Sequence, residues 1–254
     1  MKINAHVPTQ QYGFIELTDL PDNPKEVEAA YNRYAEHPIS LKSGNRKLLK
    51  AFCGGEVYYD EVAHVYTNEK GEVYQSGSQY ADTFRKPFDK QKIAGLMAAK
   101  IKANPEDIIK MWELKSQCSK DFGNAIHKSL QLHEQYRELA ESLNKTTHSH
   151  EHPVIKNAVQ SFIEAHKGEK VISEALIVDN EAKKAGQIDR LLITSRKTCR
   201  VQDFKTNADI TKDLDIYWKQ LEFYGSILEA GGWKVEGFDI FHYNGSWTTY
   251  NKEV

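Results

Sequence analysis

Hydrophobic and polar positions divide the chain into a front region of short, uneven patterns and a longer region where helical and strand periods follow one another cleanly. In the front region, "DNPKEVEAAYNRYAEH" predicts a short helix with Asp22 or Asn23 near its start, and "SLKSGNRK" predicts a loop. "EVYYDEVAHVYTNEKGEVYQS" predicts short aromatic strands broken at "NEKG", a hairpin signal. From about Asp89 the period turns helical through "DKQKIAGLMAAKIKA" and "NPEDIIKMWELKSQ", with Asn104 as N-cap and Pro105 in the first helical position. A long helix is expected from about Ser119 to Leu143.

After the polar break "NKTTHSHEHP", "VIKNAVQSFIEAHK" predicts a helix ending at Gly168. "VISEALIVDN", "AGQIDRLLITS" and "CRVQDFKTN" predict three successive strands. "DLDIYWKQLEFYGSILEAGG" is an amphipathic helix closed by glycines, and "KVEGFDIFHYNGSWTTY" a hairpin turning at Asn244-Gly245. The order helix, three strands, helix, strands predicts an α/β (α+β mixed) fold: a central mixed sheet flanked by helices, without the regular alternation of a doubly wound sheet. Residues 1–88 form an accessory region of helix and hairpin, and 89–254 the core with added helices.

Composition narrows the function classes. The 254 residues, 40% hydrophobic, suffice for one sizeable core. Charged residues are 28% of the chain but cancel to −2, so an anionic partner must be met by a local site rather than by a bulk field. No apolar run approaches the roughly 18 residues of a membrane span, and "MKINAHVPTQ" lacks a signal-peptide core, so the expectation is a cytoplasmic protein. Cys53, Cys118 and Cys199 are far apart, without a CxxC pair, and are expected to be reduced core thiols.

Against that background three charged residues stand out in apolar strand sequence. Alternate side chains share a strand face, so Val201, Asp203 and Lys205 point together while Gln202 and Phe204 point away. If the preceding strand pairs through the "SRKT" turn, Asp189 lies opposite Asp203, with Glu174 on the strand before it close by. Converging carboxylates repel unless a cation holds them ionised, and oxygen ligands of this kind suit Mg²⁺ or Mn²⁺. Such a metal can bind a phosphate oxygen and acidify a water, with Lys205 orienting that water or offsetting the developing charge. The plainer alternative is that Asp189 ends a strand and that Asp203 and Lys205 form an edge ion pair. Gly123 and His127 in "FGNAIHKSLQ" share a helix face, and so do Gln220 and Tyr224 in "YWKQLEFY". Each could serve a site or ordinary packing.

Taken in order, "GNAIH", Glu174, "GQIDRL", "VQDFKT" and "QLEFY" resemble the PD-(D/E)XK nuclease superfamily, in particular its RecB-like exonuclease branch, over about residues 115 to 243. The resemblance implies a DNA-cleaving hydrolase in which His127, Asp189, Asp203 and the Phe204 carbonyl are metal ligands and Glu174 is a supporting acid. It also implies Lys205 as the catalytic lysine and a positioning role for Gln220 and Tyr224. The front hairpin looks like the one before the nuclease core in phage exonucleases and in the mitochondrial genome maintenance exonuclease group, where added helices form an arch for single-stranded DNA. Some RecB-like nucleases carry four cysteines for an iron-sulfur cluster; this chain has neither the number nor the placement. It has no Walker A motif either.

Lys120, Lys128, Arg190, Arg196 and Lys212 are candidate phosphate contacts, and Tyr217, Trp218 and Tyr66 candidate base-stacking groups. "HSHEHP" is expected to be a solvated loop. The leading expectation is a metal-dependent DNase, an exonuclease on a single strand or a DNA end, in recombination or repair. Rival readings are a non-catalytic DNA-binding module of the same fold, a structure-specific endonuclease, or a hydrolase of small phosphoesters.

Overall fold

The computed structural model describes residues 39–40, 46–60, 63–142 and 152–254. The helix predicted from "DNPKEVEAAYNRYAEH", and most of the loop before the hairpin, lie outside the described residues.

The front region contributes a small antiparallel sheet of β1 (Ile39–Ser40), β2 (Arg46–Lys50), β3 (Glu56–Asp60) and β4 (Val65–Thr67), in that spatial order. "NEKG" forms the turn expected of it, with the Gly71 N–H donating to the Asn68 carbonyl at 3.0 Å. Strand β5 (Gln75–Ser76) then runs parallel beside β7 (Lys184–Ser195). Helix α1 (Gly77–Asp82) follows, started by a capping box between Ser76 and Gln79. Residues 75–82 thus build part of the main sheet, although they precede residue 89.

Helix α2 (Lys90–Ile101) is capped by Asp89 and ends at Lys102, whose φ is +56°. The two helices expected between residues 104 and 143 are a single one, α3 (Pro105–Ser142), 38 residues long. Nothing between Gln117 and Ser119 breaks the helical backbone, so the first cap, Asn104 Oδ1 accepting from the Glu106 N–H, serves the whole length. Helix α4 (Pro153–Ala165) precedes β6 (Val171–Asp179), β7 and β8 (Thr198–Lys205). Helix α5 (Leu214–Ala230) carries the chain to β9 (Lys234–Tyr243), which turns into β10 (Trp247–Glu253) with Gly245 at φ +83°.

The sheet is mixed. Strands β6, β7 and β8 pair antiparallel in sequence, β9 pairs parallel to β8, and β10 antiparallel to β9. A parallel neighbour requires a crossover, which α5 supplies. One edge of β7 takes β6 along its length; the other takes β8 at one end and β5 at the other. Helix α5 buries Tyr217, Trp218, Leu221, Phe223 and Tyr224 in the largest core cluster. On the other face, α3 and α4 pack Ile126, Leu130, Ile155 and Phe162 against Phe204 and Phe241. Helices thus flank a central mixed sheet, the expected architecture.

Among the described residues no helix is long and apolar enough to cross a membrane. Cys53 and Cys199 are buried thiols as expected, whereas Cys118 is exposed on α3.

Candidate active site

The strands lose their regular alternation at one place. Ile172 and Ala175, three residues apart on β6, both enter the core cluster under α5, and so do Ile188 and Leu191 on β7. A period of two forbids this, so both strands slip by one position between those pairs. The slip centres on Glu174, with φ +56°, which faces Asp189 in the register set by Ser173 with Arg190 and Ala175 with Ile188. A non-glycine residue in the left-handed region inside a strand is strained and must be held there by its surroundings.

The β7–β8 ladder stops at the same level. Its last pair is Arg190 with Gln202, and the next step would set Asp189 against Asp203. Instead the strands part, and Asp189 Oδ2 accepts a hydrogen bond from the Phe204 N–H at 3.0 Å. Three carboxylates on three adjacent strands therefore meet at a local opening of the sheet.

Helix α3 closes the opening from one side. A Cβ on Gly123 would stand 2.7 Å from Thr206 Oγ1, so glycine lets the helix lie against the end of β8. One turn on, His127 Nδ1 is 3.4 Å from Asp189 Oδ2, with its ring edge-on to Phe204 at 5.5 Å between centroids. Two turns further along the same face, Glu134 bonds Arg190 Nε at 2.6 Å.

Helix α5 closes the other side. Lys205 Nζ is 2.6 Å from Asp203 Oδ2 and 4.8 Å from the centroid of the Tyr217 ring. Gln220 Nε2 donates to Tyr224 Oη at 3.0 Å. The Tyr224 ring lies in a slot between two glycines, because a Cβ on Gly77 or Gly186 would come within 2.3 or 2.4 Å of its Cε1.

Residues 97–244 match a family model of the PD-(D/E)XK nuclease superfamily. The chain belongs to that superfamily. No curated protein matches it.

PD-(D/E)XK nucleases typically use divalent metals such as Mg²⁺, and the acids at the opening suit such an ion. The Glu174 carboxyl is pushed up to about 8 by burial first and then by Asp189, Glu134 and Asp203. Burial likewise raises Asp203, partly offset by Lys205. Burial works against the Lys205 ammonium, but Asp203 and Asp189 outweigh it and its pKa is raised. Acids held this close in a dry setting gain from a cation among them. Asp203 Oδ2, sealed from solvent, is answered by the Lys205 ammonium at 2.6 Å. Among the described residues no three His, Cys, Asp or Glu side chains stand together as a ready-made metal site.

The PD-(D/E)XK chain departs from the expected surface contacts at four positions, Arg190, Tyr217, Tyr66 and Trp218, the last buried in the core under α5. Arg190, a candidate phosphate contact, is 2% exposed. It pairs with Glu134 and with Glu169 at 2.8 Å, donates to Gln202 Oε1, and lies over the Phe162 ring. Arg190 lies on the sheet face that α3 and α4 cover, and the buried guanidinium is answered by carboxylates. Tyr217, a candidate base-stacking group, is also buried and receives a hydrogen bond from Asn207 Nδ2 at 2.9 Å. Tyr66 is buried and stacked on Tyr59 at 4.8 Å. Lys120 and Lys128 are exposed on α3, where phosphates can reach them.

Several participants escaped the sequence reading. Glu134 had a usable signal, its seven-residue spacing from His127. Gly186 and Thr206 stood inside the quoted motifs "GQIDRL" and "VQDFKT" without a role, and Gly77 and Asn207 had no signal, since their roles exist only through close contacts across the fold.

Proposed function

We propose that this PD-(D/E)XK protein is a metal-dependent deoxyribonuclease of the RecB-like branch, acting as an exonuclease on single-stranded DNA or on DNA ends. The observation that carries the reading is the meeting of Glu174, Asp189 and Asp203 across three neighbouring strands, with Lys205 ion-paired to Asp203 at 2.6 Å. An ordinary edge ion pair needs one acid and one base. It does not account for Asp189 capping the Phe204 N–H beside His127, or for the strained Glu174.

In this reading Asp189, Asp203, His127 and the Phe204 carbonyl would hold one or two Mg²⁺ or Mn²⁺ ions. The bound ion supplies Lewis-acid stabilisation of phosphate charge and lowers the pKa of a water. Asp189 acts in two ways: one oxygen fixes the Phe204 backbone, and the carboxylate carries ligand charge. Asp203 keeps Lys205 protonated, and the ammonium stands ready to orient the attacking water or to offset negative charge on the phosphate in the transition state. Glu174 is the supporting acid, and Gln220 with Tyr224 places substrate against the catalytic groups. Lys120 and Lys128 are proposed to track the DNA backbone along α3, as part of a helical arch built from the added helices. Residues ahead of 89 are proposed to act as the accessory region to that core. No iron-sulfur cluster is part of the proposal.

The test is cleavage of end-labelled linear and of circular DNA, single- and double-stranded, with Mg²⁺, Mn²⁺ or EDTA, by the native protein, Asp203→Ala and Lys205→Ala. Metal-dependent loss of linear substrates alone, abolished by either substitution, supports the exonuclease. Cutting of circles replaces it with an endonuclease, and DNA binding without cleavage replaces it with a binding module.

A further inference from the structure

A lysine ends a flexible four-carbon stem, and a single ion pair does not fix where its amine sits. Lys205 has a second restraint, the face of Tyr217, with the amine 4.8 Å from the ring centroid. That ring is unusually well anchored for a residue that could have been any core hydrophobe. It is 6% exposed and lies in the first turns of α5. Asn207, two residues beyond Lys205, donates to its hydroxyl at 2.9 Å and so holds the far end of the ring. From the front region, the Arg85 guanidinium stands 5.8 Å from the same centroid, held by Asp82 at 2.8 Å and Asp213 at 3.3 Å.

From this geometry we propose that Tyr217 is a positioning residue for Lys205: its ring face holds the ammonium beside Asp203, and Asn207 and Arg85 hold the ring. The inference rests on the reading of Lys205 as the catalytic amine. A cation over a desolvated aromatic face is attracted by the ring quadrupole, and the attraction is strongest where water is excluded. In a catalytic site the greater consequence is geometric, because small misplacements of a reacting group cost rate steeply.

Two measurements test it. In single-turnover and steady-state cleavage, Tyr217→Leu is expected to lower kcat about 30-fold with KM changed less than about twofold. Tyr217→Phe, which keeps the ring, is expected to recover most of that loss. A Leu variant as fast as the native protein, or one altered in KM alone, overturns the proposal, as does a Phe variant as slow as Leu. If Tyr217→Leu fails to fold, the native protein still decides the matter by NMR. The Lys205 ε-methylene protons, assigned by their loss in Lys205→Ala, are expected well upfield of free lysine through the ring current; ordinary shifts overturn the proposal. A native protein that cleaves nothing with either metal defeats the nuclease reading itself. That outcome is distinct from an active native protein indifferent to residue 217.

Discussion

The Asp189 carboxylate and the Phe204 backbone N–H are joined by a 3.0 Å hydrogen bond where their strands part. The bond replaces the strand pair that the register would otherwise form, and it places a charged acid at the opening of the sheet. Asp189→Asn keeps an acceptor for Phe204 but removes the charge. It is expected to retain the native melting temperature while losing cleavage by about 100-fold or more. Asp189→Ala also leaves the buried N–H unanswered and is expected to cost a further 1–3 kcal/mol or so of stability in denaturant melts.

The pH dependence of the metal-free protein follows from Glu174. Its carboxyl is pushed up from 4.5 to about 8, by burial first and then by neighbouring acids. The folded state therefore keeps a proton that the unfolded chain releases, and stability is lost as pH rises between those two values. The buried Asp203, raised as well, acts in the same direction. Thermal melts in EDTA should fall across this window, and Glu174→Gln should flatten the fall. Adding Mg²⁺ or Mn²⁺ should stabilise more as pH rises, because the ion displaces the proton. An unchanged slope in the Gln variant would refute the assignment.

Two glycine substitutions, one at the Tyr224 slot and one on the open face of α2, are expected to have opposite signs. Gly186→Ala brings a Cβ to 2.4 Å from a buried ring and is expected to destabilise by about 1–3 kcal/mol, partly restored by Tyr224→Leu in the same chain. Gly95→Ala, on α2 with nothing within 4 Å, is expected to stabilise by roughly 0.5–1 kcal/mol. Equilibrium unfolding of the three proteins checks both.

Arg190 and Lys128 separate core charge from surface charge. Arg190→Met leaves the buried Glu134 without its guanidinium partner and Glu169 with His166 alone, and about 3–5 kcal/mol of stability should go with it. Lys128→Ala, at an exposed position, should leave the melting temperature unchanged and reduce the salt dependence of DNA binding by about one ion. The reverse pattern would return Arg190 to the DNA surface.

Much of this molecule is decided locally and is therefore legible in its sequence. A period of two puts Asp203 and Lys205 on one side of β8, and a period of 3.6 puts Gly123 with His127 and Gln220 with Tyr224. The order of β6, β7, β8, α5 and β9 follows from the same periods and from the turn at "SRKT". The elements, their sequence and a candidate site come from these patterns, because each depends on residues within a few positions of one another.

What the tertiary structure alone decided depends on contacts between distant segments. Arg190, a surface candidate in the sequence, is a buried ion-pair centre because α3 and α4 cover the face of β7 that carries it. The packing of α3 on the sheet brought Glu134 to Arg190. Arg85 and Gly77, more than a hundred residues ahead of α5, reach Tyr217 and Tyr224 only because β5 docks on β7. No local period encodes such meetings; they arise when separate elements bury their apolar faces against a common sheet.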